Sequence, residues 1–135
     1  MTQQYIDAIS HPLGPDILMI LSDTCSYFKQ PVDRVNSKDR HREYVTVRQA
    51  AQYIAKQVLG KKASLTMIGA IIGGVDHCTV MSSIKQIEGQ ILPVKNDQAL
   101  DPDLRRAISI CLWRMKIMVE GKKFLSMGTM ISNLN

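Results

Sequence analysis

The sequence predicts an all-α protein built as a helical bundle. Hydrophobic residues make up 45% of its 135 residues and aromatic residues only 5%, a composition that favours helices over sheets. The apolar residues recur mainly at helical spacing, and glycine, proline and capping residues divide the chain into helix-sized segments. A chain of this length forms one domain with a real hydrophobic core, to which a further element can be attached.

The first part of the chain predicts a short helix followed by a longer, apolar one. The short helix over "TQQYIDAI" is closed by "HPLGP", whose prolines and glycine break it. Pro15 and Asp16 open the next helix, "PDILMILSDTCSYFK", whose core stripe comprises Ile17, Leu18, Leu21, Cys25 and Phe28. We expect "QPVDRVNS" to form a turn or a single helical turn, and "KDRHRE" to form a charged loop.

The middle of the chain predicts three helices separated by glycines. The first extends from about Val45 to Leu59, and Gly60 stands where a helix stop belongs. Ser64 is a suitable N-cap for a short helix that continues through Ile72. After a tight turn, a third helix begins at an aspartate cap and continues to about residue 91.

The short helix, the turn and the third helix together predict a helix-turn-helix, whose second helix enters the major groove of DNA. Gly73 and Gly74 form the turn, because glycine takes positive φ without strain. Asp76 can accept a hydrogen bond from a cytosine or adenine amino group, and His77 can donate one to a purine or thymine acceptor. Thr79 offers a hydroxyl and a methyl group. On this pattern alone, a plain helix cap beside a solvated histidine remains the alternative.

The C-terminal part predicts a polar connector and one long helix. The connector "PVKNDQALD" leads to Asp101 and Pro102, a cap followed by proline at the first helical position. The helix "DLRRAISICLWRMKIMVEG" is predicted to end at Gly121. We expect a short helix or disorder over the last segment, "KKFLSMGTMISNLN".

This long helix is apolar on two faces. One stripe comprises Leu104, Ala107, Ile108, Cys111, Leu112, Met115, Met118 and Val119. A second, offset stripe comprises Ile110, Trp113 and Ile117. A helix with two apolar faces is either sandwiched in a core or docked against another chain. Two interpretations therefore stay open, intramolecular packing and a homodimer through the helix that contains Trp113.

Positive charge is concentrated in one quarter of the chain. Residues 29–62 hold nine cations and three anions, so this segment carries +6 and the rest of the chain −1 of the net charge of +5. A basic patch confined to one segment is the footprint expected of a nucleic-acid-binding protein. Because the patch adjoins a helix-turn-helix, we favour this interpretation over a solvated helix face.

The sequence gives little support for a metal-binding protein or an enzyme. Cys25, Cys78 and Cys111 form no CxxC pair and the three histidines are unclustered, so we expect no metal site. We also expect no catalytic residue. A nucleophile pair of Cys78 and His77 is not expected, because neighbouring residues of a helix point about 100° apart.

Membrane and nucleotide-binding classes are likewise not expected. No segment approaches the about 18 consecutive apolar residues of a membrane span, and "MTQQYIDAIS" lacks a signal-peptide pattern. The sequence therefore predicts a soluble intracellular protein. The "GKK" at 60–62 lacks the earlier glycine and the following serine or threonine of a phosphate-binding loop. We expect no bound nucleotide and no cofactor.

A longer pattern resembles the C-terminal DNA-binding domain, domain IV, of the bacterial replication initiator DnaA. The segment "KDRHREYVTVRQAAQYIAK…SLTMIGAIIGGVDHCTVMSSIKQIE" is similar to that family's basic loop, its "RQ-A-YLA"-type helix, its "IG-FGGRDHTTV" signature and its closing "KIE". The matching residues are Arg48, Gln49, Ala51, Tyr53, Ile54, Ala55, Ile68, Gly69, Gly73, Gly74, Asp76, His77, Thr79, Val80, Lys85, Gln86, Ile87 and Glu88. The resemblance covers roughly residues 17–92 and does not include the family's ATPase domain.

The resemblance implies a helix-turn-helix fold of the DnaA C-terminal or Trp-repressor-like type, here with an extra C-terminal helix. We expect an N-terminal helical segment (1–14), a DNA-binding domain (15–92) and a C-terminal helical extension (93–135) that could serve for dimerisation. The implied partner is double-stranded DNA carrying a short A·T-rich box. The implied setting is the bacterial cytoplasm, in association with the nucleoid, with a role in replication or in transcription regulation.

The resemblance also implies roles for particular residues. Asp76, His77, Cys78 and Thr79 would read bases in the major groove. Arg40 would enter the minor groove, where the negative potential of a narrow A-tract attracts an arginine. Phosphate contacts, which position a protein without specifying sequence, are expected from Lys38, Arg42, Arg48, Lys56, Lys61 and Lys62.

Two residues depart from the family pattern. Val75 replaces the arginine that normally precedes Asp-His, and Cys78 replaces a threonine. Each lost contact typically costs about 1–3 kcal/mol of base discrimination, so we expect weaker binding or a different preferred box. The alternative from another functional class is a protein-interaction module that keeps the fold and has lost specific DNA binding.

Overall fold

The computed structural model describes the backbone of residues 3–95 and 98–133 and the side chains of residues 3–92 and 99–121. Its helices are α1 (Gln3–Ser10), α2 (Gly14–Phe28), α3 (Val32–Val35), α4 (Arg42–Leu59), α5 (Leu65–Ile71), α6 (His77–Ile91) and α7 (Pro102–Asn133). A 3-10 turn spans Gly60–Lys62, and a short antiparallel pair is formed by β1 (Pro93–Lys95) and β2 (Gln98–Ala99). The prediction of an all-α helical bundle is confirmed.

Helix α4 lies at the centre of the bundle and packs against α2, α3, α5, α6 and α7. The apolar residues of its inner face are buried, apart from the half-buried Val58, namely Val47, Ala50, Ala51, Ile54 and Leu59. The core around it is aliphatic, and its largest buried side chains are Ile17, Ile20, Leu21, Ile54, Ile68, Ile71, Ile72, Ile87 and Ile108. Burying each such side chain stabilises the fold by about 1.5–3 kcal/mol relative to leaving it in water.

The predicted helix caps are confirmed by their hydrogen bonds. The Ser64 side chain accepts a hydrogen bond from the Met67 backbone N–H at 3.1 Å, which begins α5. Gly60 ends α4 with a φ of 58°, a value that a glycine adopts without strain. The Asp76 cap of α6 belongs to the site described below.

Helix α4 begins three residues earlier than the sequence predicted, at Arg42 instead of Val45. His41 is extended and occupies the N-cap position, and Glu43 lies in the first turn. A carboxylate in the first turn is stabilised by the partial positive charge of the helix N-terminus. Only residues 38–41 of the predicted charged loop are therefore outside a helix, which makes the loop short.

In the C-terminal part, one feature was not predicted and one expectation is wrong. The predicted connector contains the β1–β2 pair, in which Pro93 lies opposite Ala99 and Lys95 opposite Gln98. The last helix does not end at Gly121 but continues to Asn133. A glycine inside a helix costs only about 1 kcal/mol, and no proline follows it, so the helix-forming residues on both sides carry α7 through.

The rotation of α7 about its axis is fixed by contacts with α2, α4 and α6. Five residues of its first predicted stripe are buried, namely Leu104, Ala107, Ile108, Cys111 and Met115. Arg114 Nη2 donates a hydrogen bond to Asp23 Oδ2 of α2 at 3.1 Å, and the guanidinium lies 5.7 Å from the ring centroid of Tyr27.

In the described part of the chain, no helix is long and apolar enough to span a membrane.

Candidate nucleic-acid interface

Helices α5 and α6 meet in a close helix-turn-helix. The Val75 backbone N–H donates a hydrogen bond to the Gly69 carbonyl at 2.9 Å. A Cβ at Gly69 would lie 2.4 Å from the Val75 carbonyl oxygen and 2.8 Å from a methyl carbon of Val80. The turn between the helices has positive φ at Gly73 (98°) and Gly74 (62°). These glycines permit the sharp change of direction that starts α6.

The first residues of α6 present polar side chains to solvent. Asp76, His77, Cys78 and Thr79 are all exposed. Asp76 Oδ1 accepts hydrogen bonds from the Thr79 backbone N–H and the Thr79 hydroxyl, both at 2.9 Å. The pKa of the Asp76 carboxyl lies below its ordinary value. The main cause is the hydrogen bond from the Thr79 backbone N–H, and the second is the bond from the Thr79 hydroxyl. Asp76 is therefore both the helix cap and an ionised group on the exposed end of the helix.

These hydrogen bonds limit the groups with which Thr79 can contact a binding partner. Its hydroxyl hydrogen points to Asp76 Oδ1, so donating to a phosphate would require breaking that bond. The methyl group and the remaining hydroxyl lone pair stay available for a contact. Asp76 keeps Oδ2, which takes part in neither of the two bonds to Thr79.

The side chains of His77 and Cys78 are in contact, with Cys78 Sγ 3.5 Å from His77 Nε2. The expectation that helix geometry keeps neighbouring residues apart is wrong for this pair. The two side chains extend beyond the helix backbone and turn towards each other, so the 100° offset of their Cβ atoms does not separate their ends. Both side chains remain exposed.

Val75, which stands where the resemblance expects an arginine, does not extend into solvent. Its side chain is half-buried and packs against the hydrophobic core. The substitution therefore removes a charge from the start of α6 and adds a small apolar contact to the fold. This residue makes the exposed end of α6 less basic than the family pattern predicts.

The loop of residues 36–41 is attached to the helix-turn-helix by two side chains. Asn36 Oδ1 accepts a hydrogen bond from the Gly73 backbone N–H at 2.6 Å. Lys38 Nζ donates one to the Gly74 carbonyl at 2.7 Å. Both bonds reach the two glycines that precede α6, so the loop and the start of α6 form one surface. We call this the reading surface, comprising residues 36–41 and 76–79.

Arg48 of α4 supports the same loop from beneath. Its Nε donates to the Val35 carbonyl at 2.6 Å and its Nη2 to the Asp39 carbonyl at 2.8 Å. Burial lowers the pKa of the guanidinium, and the negative charge of Asp39 partly opposes that shift. A Cβ at Gly73 would lie 3.2 Å from Arg48 Cδ, so the arginine stem also fills the space under the turn.

Asp39 and His41 close the loop on its outer side. The Asp39 carboxylate accepts a hydrogen bond from the His41 backbone N–H at 2.9 Å and contacts the His41 ring, and Arg34 lies 3.6 Å away. The backbone bond from His41, followed by the bond to its side chain, lowers the pKa of Asp39. The same contact raises the pKa of His41, first through the hydrogen bond to Asp39 and then through its charge.

Arg34, Arg40 and Arg42 are exposed in this region, and Arg34 pairs with Asp39. Arg40 lies in the loop between Asp39 and His41, whose side chains bond to each other, and Arg42 lies in the first turn of α4. The reading surface therefore brings Arg40 and the four predicted base-reading residues of α6 together. It does not include the lysines at the far end of α4.

Those lysines form a second basic region, which we call the lysine turn and define as Lys56 with Gly60–Lys62. Lys56 Nζ donates hydrogen bonds to the Gly60 carbonyl at 3.1 Å and the Ala63 carbonyl at 2.8 Å. Lys61 and Lys62 are exposed, and they line a groove with Asp7 and His11. The lysine turn thus lies beside α1 and α5, not beside the start of α6.

Sequence reasoning missed two residues that hold the candidate interface in place. Asn36 was assigned only to a turn, although its side chain ties the loop to Gly73. Gln52 is 1% exposed and its Nε2 donates to the Ile72 carbonyl at 2.9 Å, which anchors the turn to α4. Neither bond has a signal in the sequence, because each joins residues at least 20 positions apart. Among the described residues, no group of three or more His, Cys, Asp or Glu side chains could hold a metal ion.

The fold and the site define the class of the protein as an all-α helix-turn-helix protein with a basic loop fixed beside its second helix. The sequence profile of the bacterial DnaA protein helix-turn-helix matches residues 17–87. The chain therefore belongs to the bacterial DnaA helix-turn-helix family, and the resemblance noted in its sequence is confirmed.

Individual relatives agree with this assignment. The chromosomal replication initiator protein DnaA of Bacteroides thetaiotaomicron is 38% identical over 80 residues, which are 59% of this chain and 17% of that protein. The DnaA of Thermomicrobium roseum is 32% identical over 97 residues, 72% of this chain and 19% of the relative. The DnaA of Flavobacterium psychrophilum is 28% identical over 111 residues, 82% of this chain and 22% of the relative. The chain spans about a fifth of the length of these relatives. No solved structure matches the sequence.

Proposed function

We propose that the protein binds double-stranded DNA with sequence preference, through α6 and the basic loop of residues 36–41. The observation that carries this proposal is the pair of bonds from Asn36 and Lys38 to Gly73 and Gly74. They hold the loop next to the exposed start of α6. A helix that reads the major groove and an arginine that reads the adjacent minor groove must be fixed relative to each other, because a misplaced contact reads the wrong base pair.

In this proposal the four exposed residues at the start of α6 contact base edges. Asp76 Oδ2 accepts from a cytosine or adenine amino group, and the His77 ring donates to a purine N7 or a thymine O4. The Thr79 methyl group contacts a thymine methyl, since its hydroxyl hydrogen is bound to Asp76. Cys78 gives this end of the helix a small apolar contact. Arg40 enters the minor groove of the adjoining A·T-rich segment.

Phosphate contacts are proposed chiefly for the exposed cations Arg42, Lys61 and Lys62. The remaining three cations of the predicted phosphate set, Lys38, Arg48 and Lys56, donate to backbone carbonyls within the protein. These three contribute positive charge to the surface and mainly hold it in place. The net charge of +6 over residues 29–62 attracts the DNA backbone, whichever of these cations contact phosphates directly.

We further propose that residues 15–92 are the DNA-binding unit and that the protein binds without catalysing a reaction. Its targets would be replication-origin-type or regulatory boxes, bound in the bacterial cytoplasm at the nucleoid. The similarity to chromosomal replication initiators supports replication initiation or its regulation as the setting. Transcription regulation would use the same surface, so it remains part of the same proposal.

The test is fluorescence anisotropy with labelled duplexes carrying the family's A·T-rich box, a scrambled box and a random sequence, across a salt series. We expect tighter binding to the box than to the other duplexes. Salt should weaken binding to all three, because phosphate contacts release counterions whatever the sequence. Equal affinity for all three duplexes would overturn the proposed preference for this box, and no binding at low salt would favour the interaction-module alternative.

Asp76 variants separate base reading from helix capping. Serine is an N-cap about as good as aspartate, whereas alanine is a poor one. Asp76→Ser should keep the thermal stability and lose selectivity for the box by about tenfold or more, since one good base contact contributes about 1–3 kcal/mol. Asp76→Ala should lose both selectivity and about 1 kcal/mol of stability. Unchanged selectivity in Asp76→Ser would show that Asp76 is only a cap.

A further inference from the structure

The outer face of α7 carries an apolar stripe that the described part of the chain leaves uncovered. Trp113 is 68% exposed, Ile117 49% and Ile110 38%. These are the residues of the second stripe predicted from the sequence. The opposite face of α7 is already packed on α2, α4 and α6, so the helix cannot rotate to bury both stripes.

The Arg114 contacts fix this orientation further. Its bond to Asp23 and its position over the Tyr27 ring hold one side of α7 on α2. Turning Trp113 inward would break both contacts and expose Cys111 and Met115, which are buried. A tryptophan flanked by two isoleucines on a fixed helix is the kind of apolar anchor that protein interfaces bury.

We propose that this stripe pairs with the same stripe of a second copy of the chain, with the two α7 helices antiparallel. Arg106 and Glu120 are exposed, lie on the same face as Trp113, and are seven residues, or about 10.5 Å, from it in opposite directions. In an antiparallel pair centred on Trp113, Arg106 of each chain therefore lies opposite Glu120 of the other.

The apolar residues match in the same register. Ile110 lies about 4.5 Å before Trp113 along the helix axis and Ile117 about 6 Å after it, both on one side of the contact line. In the antiparallel pair, Ile110 of one chain meets Ile117 of the other, and the two Trp113 side chains meet at the two-fold axis. Ser109 and Lys116 are exposed and lie on the other side of the line, where they form a polar edge.

A parallel pair has no such complementarity. It would place Arg106 against Arg106 and Glu120 against Glu120, and like charges in contact destabilise an interface. The exposed face of α7 is thus complementary to itself in one direction only. This makes an isologous, two-fold symmetric dimer the partner that the observed charges fit.

The dimer would present two reading surfaces related by a two-fold axis. Its DNA sites would then occur as pairs of boxes in inverted orientation. The pairing itself does not depend on DNA binding. It can therefore be tested without DNA, and its failure would leave the proposed function intact.

Sedimentation of the full chain from low to high micromolar concentration is the test, with circular dichroism as a check of folding. We expect a monomer–dimer equilibrium, and a blue shift in the emission of the single tryptophan as the dimer forms. Trp113→Asp should raise the dissociation constant by about thirtyfold or more. A wild-type monomer at all concentrations, or a folded Trp113→Asp that still dimerises as wild type, would overturn the proposal.

Charge reversal tests the register. Arg106→Glu places two carboxylates opposite each other at both ends of the pair and should weaken dimerisation by about tenfold. Adding Glu120→Arg restores opposite charges and should return the dissociation constant to near the wild-type value. Arg105→Glu is the matched control, since Arg105 is exposed on the same turn but lies away from the contact line. Failure of the double variant to recover would contradict the antiparallel arrangement.

Discussion

The reading surface and the lysine turn are both basic, yet the structure uses their cations differently. The loop of residues 36–41 is held by cations that donate to carbonyls of other segments. Lys38 donates to Gly74 just before α6, and Arg48 of α4 donates to Val35 and Asp39. At the lysine turn, Lys56 donates to Gly60 and Ala63, which close the end of its own helix. The bonds of Lys38 and Arg48 join separate segments of the chain, whereas those of Lys56 reach only carbonyls within seven residues of it.

We therefore expect sequence preference to depend on the reading surface and overall affinity to depend on both regions.

The largest difference should come from removing the two supporting cations. Arg48→Met keeps most of the stem and deletes the bonds to Val35 and Asp39, so the free energy of unfolding should fall by about 2 kcal/mol. Preference for the box over random DNA should also be lost. Lys56→Met removes the same charge and should cost about 1 kcal/mol without changing the preference. Urea denaturation and anisotropy measure the two effects. Equal loss of preference for the box in Arg48→Met and Lys56→Met would contradict the distinction between the two regions.

Variants of the exposed cations should distinguish sequence-specific binding from binding through charge alone. Arg40→Ala should weaken binding to the box by about tenfold or more, with random DNA much less affected, because a base-reading contact contributes about 1–3 kcal/mol. Lys61→Ala should weaken binding to both duplexes equally and reduce the salt slope by about one unit. Both variants should keep the wild-type melting temperature. Anisotropy over a salt series distinguishes them, and a uniform loss in Arg40→Ala would remove its assigned role.

Thiol labelling should locate the reading surface chemically. Cys78 is exposed, whereas Cys25 and Cys111 are buried. Burial raises the pKa of Cys25 to about 11 and also raises that of Cys111, so one thiol per chain should react quickly at neutral pH. A bulky maleimide on Cys78 should abolish preference for the box. The same adduct on Gln57→Cys in a Cys78→Ser background, near the lysine turn, should leave the preference the same as in the unlabelled variant.

The smallest effect should be a pH dependence at the outer side of the loop. The pKa of His41 is raised above its ordinary 6.5 and that of Asp39 is lowered below its ordinary 3.8. The contribution of His41 to stability is therefore complete below pH 6.5 and is lost as pH rises through its folded pKa. The contribution of Asp39 is present above pH 3.8 and is lost as pH falls through its own. NMR titration should show that the pKa of His41 decreases in Asp39→Asn, because the carboxylate that raises it is gone. An unchanged His41 pKa in Asp39→Asn would contradict this.

Local signals in the sequence predicted most of the fold. Ser64, Asp76 and Gly60 were assigned correctly because a cap or a stop acts within a few residues. The continuation of α7 past Gly121 was missed because glycine weakens a helix without ending it. The β1–β2 pair was missed because the chain around it contains few of the β-branched residues that mark a strand.

The residue types of the site could be predicted from the sequence, but several contacts that these residues make could not. The exposed residues 76–79 follow directly from the turn and the cap. The bonds of Lys38, Arg48 and Lys56 to backbone carbonyls were not predicted, since a cation in the sequence gives no indication of whether it faces a phosphate or the protein. The contact between His77 and Cys78 was missed because Cβ directions alone do not determine where long side chains end.

We propose that the loop and the start of α6 read two adjacent grooves as one surface. Methylation interference on the box tests it directly, because dimethyl sulfate modifies guanine N7 in the major groove and adenine N3 in the minor groove. We predict interference at both, with the adenine signal lost in Arg40→Ala and the guanine signal retained. Interference in one groove only, or loss of both signals together in a folded Arg40→Ala, would contradict the claim.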